Sequence, residues 1–378
     1  MPPAIGGEAV SLFSQFIGTI ATSLRSQEEA IGKALWHQVT SVVILRENMR
    51  QRLQTDNDAR LQAALENMRF KACTLGDIEF LRSRISACVP GRPSVCDNHF
   101  CNMSIITALN VHKDEVNRLG AIRFANEMGQ LLTHFYSEDS AKIWDNDGED
   151  DKHKTNAKFR KITAISDNMQ RDLWNQPHSA SNTYVAGKLS LCIGMPIMIR
   201  SNSATELCMT KGQEGYVYGW QTVKGSLGQQ MLDTLFVKLD NPLTTVKFDG
   251  LPENVILLSR TSNRISCSLQ DDSQVKITRS QVDVLLNFAM TDYAAQGKTR
   301  LFNVVDLHNS KSHYAYYTAL SHSASAAGTC ILQGFDPGKI TGGATGSLRQ
   351  EFRELELLDD TTKLRSEGKL PKSVIGDR

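Results

Sequence analysis

Residues 302–332 read FNVVDLHNSKSHYAYYTALSHSASAAGTCIL and hold two short apolar runs on either side of a helix-forming stretch. The runs at 302–307 and 328–332 are predicted to be buried strands, because β-branched and other apolar residues follow one another without polar alternation. Residues 315–320 are predicted to be helical. A strand, a helix and a second strand at this spacing are typical of a layered α/β fold.

The same pattern recurs nearer the start of the chain. Residues 39–45 (VTSVVIL) and 103–107 (MSIIT) predict two further buried strands. Residues 56–86, which lie between them, have the spacing of helices. An amphipathic helix then follows, and its predicted buried face consists of Val116, Leu119 and Ile122.

From about residue 190 the hydrophobic period changes to two, which predicts antiparallel strands. The predicted strand pairs are 215–220 with 232–239, across a Gly-rich loop, and 264–269 with 274–277, across Asp271-Asp272. These strands predict a small antiparallel β-barrel of the Src-homology type, inserted within the α/β domain. The tail from residue 347 is predicted to form one amphipathic helix.

Composition limits the class of protein. Among 378 residues, Lys+Arg number 42 and Asp+Glu 41, so a protein that coats nucleic acid through bulk positive charge is excluded. Eight irregularly spaced cysteines do not form a disulfide scaffold and indicate reduced thiols inside a cell. The most apolar early stretch, residues 9–24, is interrupted by polar residues and is too short for a membrane span.

Two charged stretches invite specific interpretations. Residues 138–151 hold seven acids and one Lys, but a calcium loop starting at Asp145 would need Gly at position 150, which is Asp150. A solvated loop is therefore predicted there. Gly297-Lys298-Thr299 could end a phosphate-binding loop, G-x-x-x-x-G-K-S/T, but the first Gly position holds Asp292.

Five segments resemble elements of helicases. Residues 288–299 (FAMTDYAAQGKT) resemble motif V of superfamily 1B helicases, with its T-x-x-x-x-Q-G-x-T core. Residues 316–323 (YYTALSHS) resemble motif VI, normally Y-x-A-L-S-R, and residues 46–51 (RENMRQ) resemble motif IV. Pro2-Pro3 fits the end of motif III, and residues 193–199 with Asn202 fit the strand and turn that lead into the family's small barrel.

Because these elements occur in the family's order, residues 1–340 resemble the PIF/RecD-type DNA helicases, specifically those of fungal genomes and Helitron transposons. The resemblance implies two RecA-like domains with ATP and Mg²⁺ between them and single-stranded DNA in a groove across both. It implies an ATP-dependent 5′-to-3′ DNA helicase of the nucleus, with roles in DNA repair, recombination and telomere maintenance.

The resemblance also implies a division of the chain. The chain begins where motif III ends, so we expect the second RecA-like domain without most of the first, and no ATP hydrolysis by residues 1–378 alone. A partner chain could supply the missing domain. The expected segments are 1–25 (remnant of the first domain), 26–190 (second domain), 191–285 (inserted β-barrel), 286–340 (second domain, motifs V and VI) and 341–378 (C-terminal helix and tail).

The resemblance assigns roles to ten residues. Arg50 and His322 would be catalytic, and Gln51, Gln296, Gly297 and Thr299 would couple the ATP site to the DNA. Thr107, Asn110, Lys298 and Asn202 would bind DNA. His322 departs from the family, since motif VI has Arg there. A largely neutral imidazole lacks the planar fork of a guanidinium, so weak catalysis is expected. A surface residue in a decayed copy is the second interpretation of His322.

Two further groups of residues each allow two interpretations. Tyr216, Tyr218 and Trp220 could stack on bases, although a place in the barrel core is favoured. A zinc site could be drawn from Cys88, Cys96, His99 and Cys101, but their spacing favours unrelated buried thiols. Three functions remain: the motor half of a helicase, a non-catalytic module that binds single-stranded DNA or a partner, and an inert transposon remnant.

Overall fold

The computed structural model describes residues 11–13, 24–51, 55–141, 164–181, 183, 185–269 and 273–374. The helices are α1 (Leu24–His37), α2 (Asp56–Arg69), α3 (Leu75–Ser83), α4 (Asn110–Glu127), α5 (Asp167–Asn175), α6 (Asp292–Ala295), α7 (His313–Ser321) and α8 (Gly346–Ser366). The strands are β1 (Ile105–Thr107), β2 (Thr133–Tyr136), β3 (Glu138–Ser140), β4 (Lys188–Leu191), β5 (Pro196–Ile199), β6 (Glu214–Lys224), β7 (Gln230–Leu239), β8 (Val255–Ser259), β9 (Thr261–Ser268), β10 (Gln274–Gln281), β11 (Val284–Leu286), β12 (Ala289–Thr291), β13 (Asn303–Asp306) and β14 (Thr329–Ile331). Pro2-Pro3 lies outside the described residues.

The chain divides into two compact units. Unit 1 consists of Met1–Cys101 and Gln296–Arg378, and unit 2 consists of Asn102–Ala295. None of the described helices is long and apolar enough to cross a membrane.

In unit 1 the predicted strand, helix and strand of residues 302–332 are confirmed as β13, α7 and β14. β13 and β14 pair in parallel, with Asn303 opposite Thr329. α7 begins after Ser312, whose hydroxyl accepts the Ala315 N–H and so caps the helix. Tyr316 of α7 is fully buried. The helix is therefore held both by its cap and by a large buried side chain.

The helical spacing of residues 56–86 is also confirmed, as the two helices α2 and α3. α2 begins with a capping box formed by Thr55 and Asp58, and α3 begins with one formed by Thr74 and Asp77. Asp58 has a second role, because its Oδ1 accepts the N–H of Ala326 at 2.7 Å. That bond ties α2 to the segment between α7 and β14.

The predicted buried strand at residues 39–45 is wrong. The segment has no strand pairing, and Val43 and Leu45 are 74% and 89% exposed. Its N–H groups are bonded by side chains of α8 instead. The Val42 N–H donates to Thr362 Oγ1 at 3.1 Å, and the Ile44 N–H donates to Asp359 Oδ1 at 2.9 Å. The predicted C-terminal helix is confirmed as α8.

In unit 2, β1 and β12 pair in parallel, with Thr107 opposite Thr291. α4 follows β1 as predicted, but its predicted buried face is wrong for two of its three residues. Val116 is partly buried and packs against the core, as predicted. Leu119 and Ile122 are 50% and 41% exposed, whereas Asn117 is buried. The reason is that Asn117 Oδ1 accepts the N–H groups of Phe288 and Ala289, both at 2.9 Å. Because these bonds pair buried backbone N–H groups, the face of α4 that carries Asn117 is the buried one.

The predicted strand pairs beyond residue 190 are confirmed as β6 with β7 and β9 with β10, both antiparallel. The strands form a five-stranded sheet in the order β11-β5-β6-β7-β8 and a three-stranded sheet in the order β3-β10-β9. No closed barrel is formed by the strands that the structure describes. The core beside the larger sheet includes Ile197, Val217 and Leu235, all buried.

The solvated loop predicted at residues 138–151 is wrong at its start. Residues 138–140 form β3, which pairs with β10. The side chain of Asp139 is completely buried against Arg279, with Oδ2 at 2.8 Å from Nη2. Alternate residues of β10 are buried, and this alternation places Arg279 on the inner face. Residues 142–151 lie outside the described residues.

Candidate functional site

A turn organised by Asn48 holds Arg50 and Gln51 against the end of α7 in unit 1. Asn48 Oδ1 accepts the N–H groups of Arg50 at 3.1 Å and Gln51 at 3.3 Å, as in an Asx turn. Arg50 Nη1 donates to the carbonyl of Ser321 at 3.1 Å, and Gln51 Nε2 donates to that of Ser323 at 3.4 Å. The segments that resemble motifs IV and VI are therefore in contact.

The C-terminal end of the segment that resembles motif V, with Arg300 directly after it, contacts the segment that resembles motif VI. The Arg300 N–H donates to the His322 carbonyl at 2.8 Å, and the Ala324 N–H donates to the Arg300 carbonyl at 2.9 Å. His322 Nδ1 donates to the carbonyl of Lys298 at 3.0 Å. The sequence prediction missed Arg300 and Asn48. For Arg300 a signal was available, because it directly follows Lys298 and Thr299.

His322 is 2% exposed, so its interpretation as a surface residue is wrong. Because a carbonyl can only accept, Nδ1 carries the hydrogen and Nε2 is left as an acceptor, buried and without a partner among the described residues. Burial lowers the pKa of His322, the Lys298 carbonyl opposes this, and the charges of Arg50, Arg300 and Lys298 lower the pKa further. The imidazole is therefore neutral at pH 7, even though the C-terminal end of α7 would favour a cation.

Arg50, Lys298 and Arg300 make this a locally basic place. In the part of the chain that the structure describes, no carboxylate pairs with Arg50. A guanidinium without an acidic partner, as that of Arg50 is within the described residues, can bind phosphate through charge-assisted hydrogen bonds. The arrangement is chemically suited to an oxyanion.

Three residues with a predicted coupling role lie nearby in the chain. Gln296 and Gly297 form an exposed turn, and Gly297 has a φ of 82°, a conformation that glycine adopts without strain. Thr299 is also exposed. Their coupling role stays a prediction.

In unit 2, Thr107 and Asn110 lie at the carboxyl end of β1 and the start of α4. Thr107 is 2% exposed, and its hydroxyl has no hydrogen-bond partner within the described ranges. Asn110 Oδ1 accepts from Lys113 Nζ at 3.1 Å. Leu109 precedes the helix and provides no side-chain cap. The carboxyl end of parallel strands, followed by an uncapped helix start, is a usual place for a ligand in α/β proteins.

Asn202 lies in the exposed connection between β5 and β6. Its Oδ1 accepts the N–H of Lys211 at 2.8 Å, which stabilises that connection. A DNA-binding role for Asn202 stays a prediction.

The three aromatic residues of β6 have different surroundings. Trp220 is half-buried and packs edge-on against Phe135, with ring centroids 5.3 Å apart, as the core interpretation predicts. Tyr216 and Tyr218 are 44% and 48% exposed, so for them a core position is wrong. Both tyrosines remain accessible to a ligand.

The eight cysteines are all free thiols. Cys88 and Cys96 are exposed, so the prediction that they are buried is wrong. In the described ranges, no three His, Cys, Asp or Glu side chains are grouped to hold a metal ion.

No protein-family model matches this sequence, and a search of curated proteins finds no relative. Solved structures do resemble it. The Pif1 helicase from Candida albicans superposes with a TM-score of 0.51 at 17% identity, over 82% of this chain and 60% of that one. Pif1 helicase from Bacteroides in complex with ADP-AlF3 and ssDNA gives 0.51 at 15% identity, over 92% and 65%. Bacteroides Pif1 bound to ssDNA gives 0.50 at 14% identity, over 91% and 64%.

These likenesses confirm the predicted resemblance at the level of the fold, a mixed α/β fold shared with Pif1 helicases over most of this chain. The chain spans about 60–65% of the length of the helicases it matches.

Proposed function

We propose that this chain, which shares its fold with the Pif1 helicases, provides the second motor domain of an ATP-dependent 5′-to-3′ DNA helicase. In this proposal its α/β part is RecA-like, its antiparallel strands form an inserted β module, and it contacts single-stranded DNA. The observation that carries the proposal is the position of Arg50, which is fixed by Asn48 and Ser321 and has no acidic partner in the described part of the chain.

The proposed role of Arg50 is to stabilise charge on the γ-phosphate of ATP, in the manner of an arginine finger. ATP with Mg²⁺ would supply the phosphoryl group that is hydrolysed. The sequence of these 378 residues has no G-x-x-x-x-G-K-S/T loop to hold the β-phosphate. We therefore expect residues 1–378 alone not to hydrolyse ATP, and a further segment or chain to supply the first motor domain.

The test is DNA-stimulated phosphate release by a chimaera that joins the first motor domain of Bacteroides Pif1 to this chain. Arg50→Ala should lower turnover about 10³-fold, the usual effect of removing an arginine finger. Arg46→Ala is the matched control, because Arg46 lies four residues away but pairs with Glu356 and Asp359 of α8. Unchanged turnover in Arg50→Ala would contradict the proposal, as would an Arg50-dependent ATPase of residues 1–378 alone.

The same chimaera tests His322. His322→Arg should raise turnover, because a guanidinium can donate to phosphate whereas the Nδ1 hydrogen of the imidazole is already bound by Lys298. The thermal midpoint of the variant shows whether the buried position accepts the larger side chain. Equal turnover in two equally folded proteins would contradict the expectation.

The second candidate function is a non-catalytic module that binds single-stranded DNA. Its support is the neutral, buried state of His322, which gives the chain a weak substitute for the motif VI arginine. Fluorescence anisotropy of an oligo-dT should then show binding that weakens steeply with salt. A nuclear location and roles in repair, recombination and telomere maintenance are part of the proposal and come from the resemblance alone.

A further inference from the structure

Unit 2 contains a cleft of about 600 Å³ between α4, the β2–β4 pair and the end of α5. Its volume lies within the range of about 300–1,000 Å³ that is usual for ligand sites. None of the ten residues predicted from the helicase motifs lines it. The cleft is a separate feature of the unit.

Exposed residues of α4 form one wall of the cleft. Val111 and Ile122, which are 68% and 41% exposed, line the cleft together with Leu132 of the chain before β2 and Leu189 of β4. Exposed apolar side chains gathered around a cavity indicate a binding surface, because scattered ones would lie singly. The wall suits a flat apolar group.

Trp174 is the aromatic part of the cleft. Its Nε1 donates to the carbonyl of Ser137 at 3.0 Å, and its ring packs at 51° against Tyr136 with centroids 4.8 Å apart. These contacts fix the orientation of the indole before any ligand arrives. A held indole is a stacking platform for a base.

The polar rim favours an anion beside that ring. Lys188 lines the cleft and has no ion pair within the described ranges. The two acidic side chains of the rim, Glu115 and Asp114, already accept hydrogen bonds from within the protein. Glu115 accepts from Arg118 at 2.8 and 2.7 Å, and Asp114 Oδ2 accepts the Ser179 N–H at 2.8 Å.

His134 adds a polar group that can form a hydrogen bond with a ligand. Its Nδ1 is bonded to Ser190 Oγ at 2.8 Å, which orients the ring and leaves Nε2 for a ligand. The cleft thus offers a stacking surface, a cation with no ion pair within the described ranges (Lys188) and an oriented imidazole (His134).

We propose that this cleft receives an unstacked nucleobase of single-stranded DNA, with the ring on Trp174 and the adjoining phosphate near Lys188. The inference rests on the proposed function, since it names where the strand places a base. An aromatic side chain of a peptide would use the indole but not the Lys188 charge.

The experiment uses the full chain and an oligo-dT that carries one 5-iodouracil. After irradiation, mass spectrometry should find the adduct on Trp174 or the cleft residues next to it. Trp174→Leu should lower the affinity for the oligonucleotide roughly tenfold, the effect of losing one stacked base. Phe70→Leu is the matched control, because Phe70 is an exposed aromatic residue of unit 1 with no proposed role in binding, and it should leave the adduct in place.

Ile122→Trp guards against loss of folding in the Trp174 variant, because it fills the cleft from an exposed position and removes no hydrogen bond. It should also abolish the adduct. Binding of the oligonucleotide with an adduct elsewhere, or an adduct that survives Ile122→Trp, would overturn this inference alone. Absence of any binding would overturn the proposed function with it.

Discussion

Arg279 in unit 2 and Arg50 in unit 1 use the same side chain in opposite ways. Arg279 donates from Nε and Nη2 to Asp139, at 2.9 and 2.8 Å, and from Nη1 to the Val185 carbonyl at 3.0 Å. Arg50 donates to the carbonyl of Ser321, and no described carboxylate neutralises it. A saturated guanidinium stabilises a fold, whereas one without an acid is available to an outside anion.

The two arginines also differ in what surrounds them. The side chains of Arg279 and Asp139 are 3% and 0% exposed, and Asp139 accepts further bonds from Ser137 and Gln170. Such a pair is costly to break from one side, because the remaining charge stays buried. Arg50 is half-buried and lies among cations. Its removal should cost little stability and should remove the ability to bind an anion.

The largest expected effect is that of Asp139→Ala. We expect a loss of about 3–5 kcal/mol in the free energy of unfolding, because the Arg279 charge is left buried and unpaired. Urea denaturation followed by circular dichroism measures it. Glu253→Ala is the control, since Glu253 and Lys247 form an exposed pair at 3.9 Å, and it should change stability by less than about 0.5 kcal/mol. Equal losses of stability in the two variants would contradict the conclusion that Asp139 and Arg279 form a buried, fully hydrogen-bonded pair.

A smaller effect should come from an anion. Tripolyphosphate at ten times its Kd should stabilise the chain by about 1.4 kcal/mol, since it binds the folded state only. Thermal unfolding with and without the anion checks this. The stabilisation should vanish in Arg50→Gln and persist in Arg46→Gln. Persistence in both variants would place the anion elsewhere.

Without an anion, Arg50→Gln should cost less than about 1 kcal/mol, because one hydrogen bond to a carbonyl is lost. The same urea titration measures it. A loss as large as that of Asp139→Ala would show that Arg50 is structural, and the contrast between the two arginines would fail.

The pH dependence sharpens the comparison further. Burial lowers the pKa of His322 and of His178 below the ordinary value of 6.5, so the unfolded chain binds protons that the folded chain does not. Stability is therefore full above pH 6.5 and falls as the pH drops through the folded pKa. His322→Gln should weaken this fall between about pH 7 and pH 5, and His308→Gln, at an exposed position, should not. An unchanged pH profile in His322→Gln would contradict the lowered pKa.

Sequence reasoning recovered the elements that local patterns specify. The α/β run of residues 302–332, the two helices within 56–86, the β9–β10 pair and α8 all follow from periodicity and caps that lie within a few residues of each other. The resemblance to motifs IV and VI also predicted that Arg50 and His322 belong to one place. The structure brings their segments together in unit 1, with Lys298 bonded to His322.

Three of the errors share one cause, which is a hydrogen-bond or ion-pair partner far away in the chain. The apolar run at 39–45 is bonded by Thr362 and Asp359, more than 300 residues away, and no local pattern distinguishes these partners from a neighbouring strand. Asn117 places its side of α4 in the core because its amide bonds backbone groups of residues 288 and 289, which are distant in the sequence. The acidic run at residues 138–151 did not indicate that Asp139 would form an ion pair with Arg279.

The sequence by itself determined the layered α/β pattern and the antiparallel strand pairs, because these depend on spacing along the chain. The resemblance to helicase motifs added the expectation that Arg50 and His322 act at one site. Only the tertiary structure decided that His322 is buried and neutral and that the buried Asp139 carboxylate is fully hydrogen-bonded. It also decided that Arg50 has no acidic partner among the described residues. The physical reason is that protonation and ion pairing depend on the solvent and charges around a group, and folding fixes both.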